Sequence, residues 1–415
     1  MLNNPKKPLD LFTGYGIELE FMIIDSVSLK VKPIADKVLD KLSNKKGSRE
    51  VVLADVAWSN EFVKHVIELK SNGPAADLKK LRLDFYSAIA EMNQLLEKEF
   101  SARLLSTAMH PLFLPENETV IWQGEDAAIY ASYDRIFNCK GHGWSNLQSI
   151  HINLPFNGDE QFGRLHAAVR VVIPLLPALA ASSPFVEGKL SEKVDARLGF
   201  YSANQKRIPS IIGPMIPEAV FTRSSYREKI LDPITRDIAP YDDDDVLEAE
   251  WLNSRTAIAK FEKSCIEIRV LDITECVASD LAIVETTVAL VKALCKEEIS
   301  DQETIRGVET SALKGVLELS INHAEDAVID DPKYFSIFSL SQACKLSDVW
   351  KKILTLPKVK QYISTESQML IKQIIDSGSL ATRIRNSYRK DNLNIEEIYQ
   401  KLSSCLAADK LFDVE

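Results

Sequence analysis

Four short stretches of this chain alternate between branched or aromatic apolar residues and residues that can hold a metal ion or a phosphate. In GIELEF, Glu18 and Glu20 alternate with Ile17, Leu19 and Phe21. In HVIELK, Glu68 and Lys70 share one side. In SIHINL, His151 and Asn153 stand opposite Ile150, Ile152 and Leu154. In CIEIRV, Glu267 and Arg269 stand opposite Ile266, Ile268 and Val270. Successive side chains of a strand point to opposite faces, so each stretch is predicted as a strand with one greasy and one polar side. Glu18 and Glu20 would then stand about 7 Å apart, at roughly 3.3 Å rise per residue. A single strand of this kind is explained by the wet face of an antiparallel sheet. A lone Glu-x-Arg is more often a surface ion pair, and a lone histidine a satisfied core residue. Together the four predict a sheet whose polar face carries Glu, His, Asn and Arg. A merely solvated face would carry more Lys, Thr, Ser and Gln, so the expectation is an active-site sheet.

The rest of the chain supplies helices around such a sheet. Residues 75–100 place Leu78, Leu81, Phe85, Ile89, Met92 and Leu96 on one helical stripe. Shorter helices are predicted over 31–44, 160–181 and 278–297, the second bent at Pro174 and Pro177. A strand is expected around 101–109, and loops with short helices over 186–247. Beyond residue 300 the pattern is almost wholly helical. Strands come first and helices after, which is an α+β order rather than strict βαβ alternation. The 415 residues are read as one catalytic domain, with a sheet-forming core over 14–275 and a mainly helical part over 276–415.

Composition narrows the function. With 46% hydrophobic and 27% charged residues the chain is an ordinary globular sequence, which excludes disorder and collagen-like repeats. The net charge of -10, with no basic block, argues against a nucleic-acid partner. The longest apolar run, Val171 to Ala181, is too short for a bilayer, which takes about 20 apolar residues. The N-terminal MLNNPKKPLDLF has no signal-peptide core. Six scattered cysteines without a CxxC pair fit a reducing compartment. A cytoplasmic protein without membrane partners is the expectation.

A face of clustered carboxylates suits phosphoryl transfer from ATP. Oxygen ligands select Mg2+ or Mn2+ over softer metals. Packed glutamates repel one another unless such ions lie between them, and the ions also neutralise charge that develops on transfer. Arginine supplies a permanent forked donor to phosphate or carboxylate. The chain has no GxxxxGK[ST], no GxGxxG after a strand, no HExxH and no GxSxG. ATP, if bound, would be held by metals and arginines on the sheet.

These residues resemble the type 2 glutamate–cysteine ligases, or carboxylate–amine ligases, of the glutamine synthetase-like superfamily. The resemblance rests on GIELEFMIID, EFVKHVIELKS, SIHINLPF, IPLLPALAASSPFVEGK, EWLNSR, IEIRVLD and GSLATRIR, in that order over about residues 14 to 385. It implies a six-stranded antiparallel sheet curled into a half-barrel, flanked by helices, as in a glutamine synthetase catalytic domain. It also implies ATP-dependent amide formation with magnesium, and often a dimer or larger homo-oligomer. By matching position, Glu18, Glu20, Glu68 and Glu267 are the expected metal carboxylates, with Glu61 beside them and His151 as a metal or phosphate contact. Arg269 is the expected phosphate-binding arginine. Arg383 and Arg385 form an A-x-R-x-R element expected to close over nucleotide or substrate. In DARLGFYSANQKR, Arg197, Gln205 and Arg207 are candidate substrate contacts, Arg207 also a nucleotide contact. Asn153 stands where many relatives carry a second histidine; it can hydrogen-bond substrate but not act as a base.

The implied activity joins a carboxylate to an amine through an acyl phosphate. Amino acids are the substrates, and glutamate and cysteine the family prior, which would place the chain in glutathione biosynthesis. Three rivals stand beside it. They are a nucleotide-binding or regulatory relative without turnover, a guanidine kinase-like phosphotransferase, and a metal-dependent hydrolase with no need of ATP.

Overall fold

The computed structural model describes residues 7–124, 126–391 and 393–412. Its centre is one eight-stranded, antiparallel sheet. In chain order its strands are β1 (Gly16–Asp25), β2 (Glu50–Leu53), β3 (Val56–Asn60), β4 (Val66–Ser71), β5 (Ala102–Leu105) and β6 (Ser149–Pro155). A small separate hairpin, β7 (Phe185–Val186) and β8 (Lys189–Leu190), intervenes before β9 (Ala257–Lys260) and β10 (Cys265–Asp272) complete the sheet. The strand order is β2-β3-β4-β1-β6-β10-β9, with β5 attached to β1.

The expected curled half-barrel of six strands is not what forms. The sheet has eight strands and is open, because β2 and β9 lie at opposite ends of the path and do not pair. Barrel closure would require the edges to meet with a consistent stagger. Here the ten-residue β1 instead serves two short neighbours along one edge. Residues 16–19 pair with β6, and residues 22–25 pair with β5. The sheet branches at β1 rather than rolling up. Three of its strands are not expected from the sequence pattern. β2, β3 and β9 are four or five residues long, and AIAK of β9 carries no polar alternation to mark it.

The greasy face forms the core as predicted. Ile17, Leu19, Phe21, Trp58, Ile67, Leu69, Ile150, Ile152, Leu154, Ile266 and Ile268 all belong to one buried cluster. The helix Leu78–Phe100 packs on it through Leu81, Phe85, Ile89, Met92 and Leu96, the expected stripe. That helix starts where the Asp77 carboxylate accepts hydrogen bonds from the Lys79 and Lys80 amides. The helix Val277–Cys295 is apolar almost all round and correspondingly buried. The 160–181 helix is a chain of three pieces, Gly158–Val172, Ile173–Leu175 and Pro177–Ala180, broken at the prolines as expected.

The other face changes character along β1. Beyond Glu20 it turns apolar. Met22 and Ile24, with Leu105 of β5, pack under Leu380, Ile384, Ile398, Tyr399 and Leu402 of the C-terminal helices. Those helices cap this end, so the polar residues are confined to the end nearer Gly16. Among the described residues no helix is long and apolar enough to cross a membrane.

Candidate active site

Strand register assembles the polar face. Glu18 lies opposite Lys70 of β4 on one side and His151 of β6 on the other. Glu20 lies opposite Glu68, and Glu68 opposite Ser59 of β3. Asn153 lies between Gly16 and Glu267 of β10. Gly16 lets the strands pack closely there, since a Cβ on it would stand 3.0 Å from the Asn153 Cβ. The strands thus bring Glu18, Glu20, Glu68, His151, Asn153 and Glu267 onto one surface. Glu61, just past β3, reaches the same place and interacts with Glu20, Glu68 and His151.

His151 is the hub. Its Nδ1 donates to Glu18 Oε2 at 2.9 Å. Its Nε2 lies 2.8 Å from Ser149 Oγ and 3.7 Å from Glu20 Oε1. Ser149 in turn donates to Glu20 Oε2 from its amide, at 2.7 Å, and from its hydroxyl, at 3.0 Å. Burial alone would depress the imidazole. The Glu18 hydrogen bond and the charges of Glu20 and Glu267 outweigh it and raise the ring to about 9. The charged ring donates from both nitrogens; to ligate a metal it would give up the Nε2 proton and keep the Nδ1 bond to Glu18.

The carboxylates fall into two kinds. Burial pushes Glu20 up; it pushes Glu61 up to about 7, helped by the charge of Glu20. Burial, with the charges of Glu18 and Glu61, lifts Glu68 to about 8. Glu18 is half-buried and Glu267 buried, yet both are held below the usual carboxylate range. For Glu18 the counterweights are His151 and Lys260. For Glu267 they are Arg269 and Lys260. Arg269 Nη2 donates to Glu267 Oε1 at 2.6 Å, and Lys260 Nζ forms a close ion pair with Oε2.

Two groups of potential ligand atoms lie within 4.8 Å of one another: Glu18, His151 and Glu267, and Glu20, Glu68 and His151. Their oxygen-rich composition fits a hard divalent cation. The excess of carboxylates around Glu20, Glu61 and Glu68 fits one as well. Beside them a cavity of about 800 Å³ opens at the Gly16 end, lined among others by Lys7, Glu18, Asn153, Lys263 and Cys265. Tyr201 acts on Arg269, whose charge in turn reaches Tyr133 on the helix Ala127–Phe137, and Tyr130 of the same helix feels the charge of Glu61.

The structure does not bring every expected residue to this face. Arg383 is buried, with Nη1 donating to Glu275 Oε1 and to the Phe412 carbonyl, both at 2.7 Å. Arg385 donates to the carbonyls of Ser191 and Lys193, both at 2.7 Å. Arg197 pairs with Asp272 and donates to the Val270 carbonyl, though its charge is close enough to interact with Glu20. Gln205 donates to Ser254 Oγ at 3.0 Å. Arg207 lies over the Tyr241 ring, 4.7 Å from its centre, and donates to the Ile136 carbonyl. Ser149, Ser59, Lys260, Tyr133 and Tyr201 are not among the residues expected from sequence. Ser149 alone carries a signal there, two residues before His151 on the same side of its strand.

The sequence profile of glutamate–cysteine ligase family 2 matches residues 15–316, most of the chain and all eight strands of the sheet. The chain belongs to that family. It is thereby a member of the carboxylate–amine ligases of the glutamine synthetase-like superfamily. An uncharacterized protein of Archaeoglobus fulgidus is 32% identical over 404 residues, covering 96% of this chain and 99% of that one. The crystal structure of a glutamate–cysteine ligase from Francisella tularensis in complex with AMP matches with a TM-score of 0.59 at 13% identity. That match covers 98% of this chain and 90% of the other. A bifunctional glutathione synthetase from Pasteurella multocida matches with the same TM-score and identity over 96% of this chain. This chain spans only 52% of that longer protein. At such identities the two structures share the fold with this family member.

Proposed function

We propose that the protein is an ATP-dependent ligase that joins the carboxylate of one amino acid to the amine of another. The observation that carries this reading is the convergence of five glutamates, His151 and Arg269 on one face of the sheet, in a chain of this family. In the reaction, the substrate carboxylate attacks the γ-phosphorus of ATP, giving an acyl phosphate and ADP. The amine then displaces inorganic phosphate and forms the amide. Glutamate as the carboxylate donor is part of the proposal.

Mg2+ or Mn2+ held among the carboxylates of this face, with His151 once its Nε2 has lost its proton, would neutralise phosphate charge during transfer. The chain's own residues do the rest. Arg269, held by Glu267, offers fixed donors to the phosphoryl group, and preorganised charge of this kind is more effective in a partly buried site than in water. His151 holds Glu18 through Nδ1, and Ser149 holds Glu20 from its amide and hydroxyl. Asn153 Nδ2 donates to Glu18 Oε1 at 3.1 Å and also lines the cavity, where it can orient substrate.

The test is a screen of amino-acid pairs for ADP and phosphate release with Mg2+. Turnover that needs both amino acids and the metal supports the reading. Nucleotide binding with no turnover for any pair would leave a binding protein instead.

A further inference from the structure

The two ligand groups on the polar face are not alike in what already fills them. In the group Glu18–His151–Glu267, every carboxylate oxygen has a donor. Glu18 Oε2 accepts from His151 Nδ1 and Oε1 from Asn153 Nδ2. Glu267 is completely buried, with Oε1 held by Arg269 and Oε2 by Lys260. Lys260 reaches it from β9. Ile258 lies directly opposite Glu267, and Lys260 lies two residues further along the same face, opposite Cys265. Two carboxylates here meet two full cations, Lys260 and Arg269, and a share of His151.

The group Glu20–Glu68–His151 is poorer in positive charge. With Glu61 it holds three carboxylates. Lys70 serves Glu68 at 3.3 Å but is closer to Glu50, at 2.8 Å. Glu20 Oε1 has His151 Nε2 only at 3.7 Å. A divalent ion adds two charges, and the half with uncompensated carboxylates gains most from it.

We propose that Lys260 is a resident cation that takes the place of a divalent ion in the Glu18–His151–Glu267 group. A metal ion then binds only on the Glu20–Glu61–Glu68–His151 side. The inference rests on the ligase reading for the metal itself, and it adds a specificity-determining residue that sets how many ions the site takes. A tethered ammonium carries one charge and three donors and cannot be lost to a chelator.

The experiment counts Mn2+ bound per chain, from the loss of the free-ion electron paramagnetic resonance signal, using full-length metal-free protein without nucleotide. Lys260→Met and Lys260→Gln remove the charge, and Lys260→Arg keeps it. Counts are normalised to folded protein by circular dichroism. The expected result is one ion for the wild type and for Lys260→Arg, and two for the Met and Gln variants. Two ions in the wild type, or no gain in the uncharged variants, overturns the role of Lys260 while leaving the ligase reading in place. No ion in the wild type removes both the proposal and the metal reading it rests on.

Discussion

Glu18 and Glu20 stand two residues apart on one strand and point the same way, yet their surroundings drive them in opposite directions. Glu18 is held below the usual carboxylate range and Glu20 above it. Burial and the charges around each make the difference. Burial raises both; for Glu18 it is outweighed by His151 and Lys260, whereas for Glu20 the charge of neighbouring Glu68 adds to it. The contrast extends across the sheet. Towards β10 and β9 the acids are matched by Lys260 and Arg269, and towards β3 and β4 they crowd one another. One half of the face is therefore a preassembled ion network, and the other is a cluster of carboxylates short of positive charge.

The largest expected difference is in turnover. Glu20→Gln removes a carboxylate from the half that is short of positive charge. Mg2+-dependent ADP release should fall about 10³-fold, with circular dichroism unchanged. Turnover near the wild-type rate would remove Glu20 from the reaction.

Stability should separate the halves next. Glu267→Gln leaves Lys260 and Arg269 without their buried partner, and the loss should be about 3–5 kcal/mol in urea unfolding. Glu68→Gln relieves repulsion, so the metal-free protein should change by no more than about 1 kcal/mol, towards greater stability. Equal losses in the two variants would break the comparison.

Arg383 offers a third test. Arg383→Met alone strands the buried Glu275 carboxylate and should cost about 3 kcal/mol. Adding Glu275→Leu should recover most of that loss. Turnover retained in the double variant would make the pair structural. A stable double variant without turnover would restore the substrate- or nucleotide-closing role that the resemblance implies.

A further test lies outside the polar face and provides a reference for it. Asp280 is buried, with Oδ1 accepting from the Thr274 amide and hydroxyl, and burial lifts its carboxyl to about 8. The folded chain thus keeps a proton that the unfolded chain releases near its ordinary value of 3.8. Stability is lost as pH rises from about 4 to about 8. Asp280→Asn should match the wild type near pH 4 and become progressively more stable than it up to pH 8, followed by thermal unfolding. A gap that does not widen with pH would show that the proton is not held.

Much of this site is legible in the amino-acid sequence. The two-residue period places Glu18 with Glu20, His151 with Asn153 and Glu267 with Arg269, and each pair does share a face. The long helix is equally plain, because its apolar stripe repeats along its whole length. Lys260 is not, since AIAK is a four-residue edge strand whose lysine looks like any surface lysine. The burial of Arg383 against Glu275 is not legible either. The arginine's motif resembles a family element, and no feature of GSLATRIR shows that Glu275 will lie against it.

Local sequence by itself determined the sheet's two-faced character and placed Glu18 with Glu20, His151 with Asn153 and Glu267 with Arg269, because alternation along a strand is a property of the backbone. Only the tertiary structure decided the strand order, the open rather than curled sheet, and which acid meets which base. Those depend on register and on contacts between residues far apart in the chain. Coulombic energy follows distance in space, so the charge balance that separates Glu18 from Glu20 exists only once the strands are side by side.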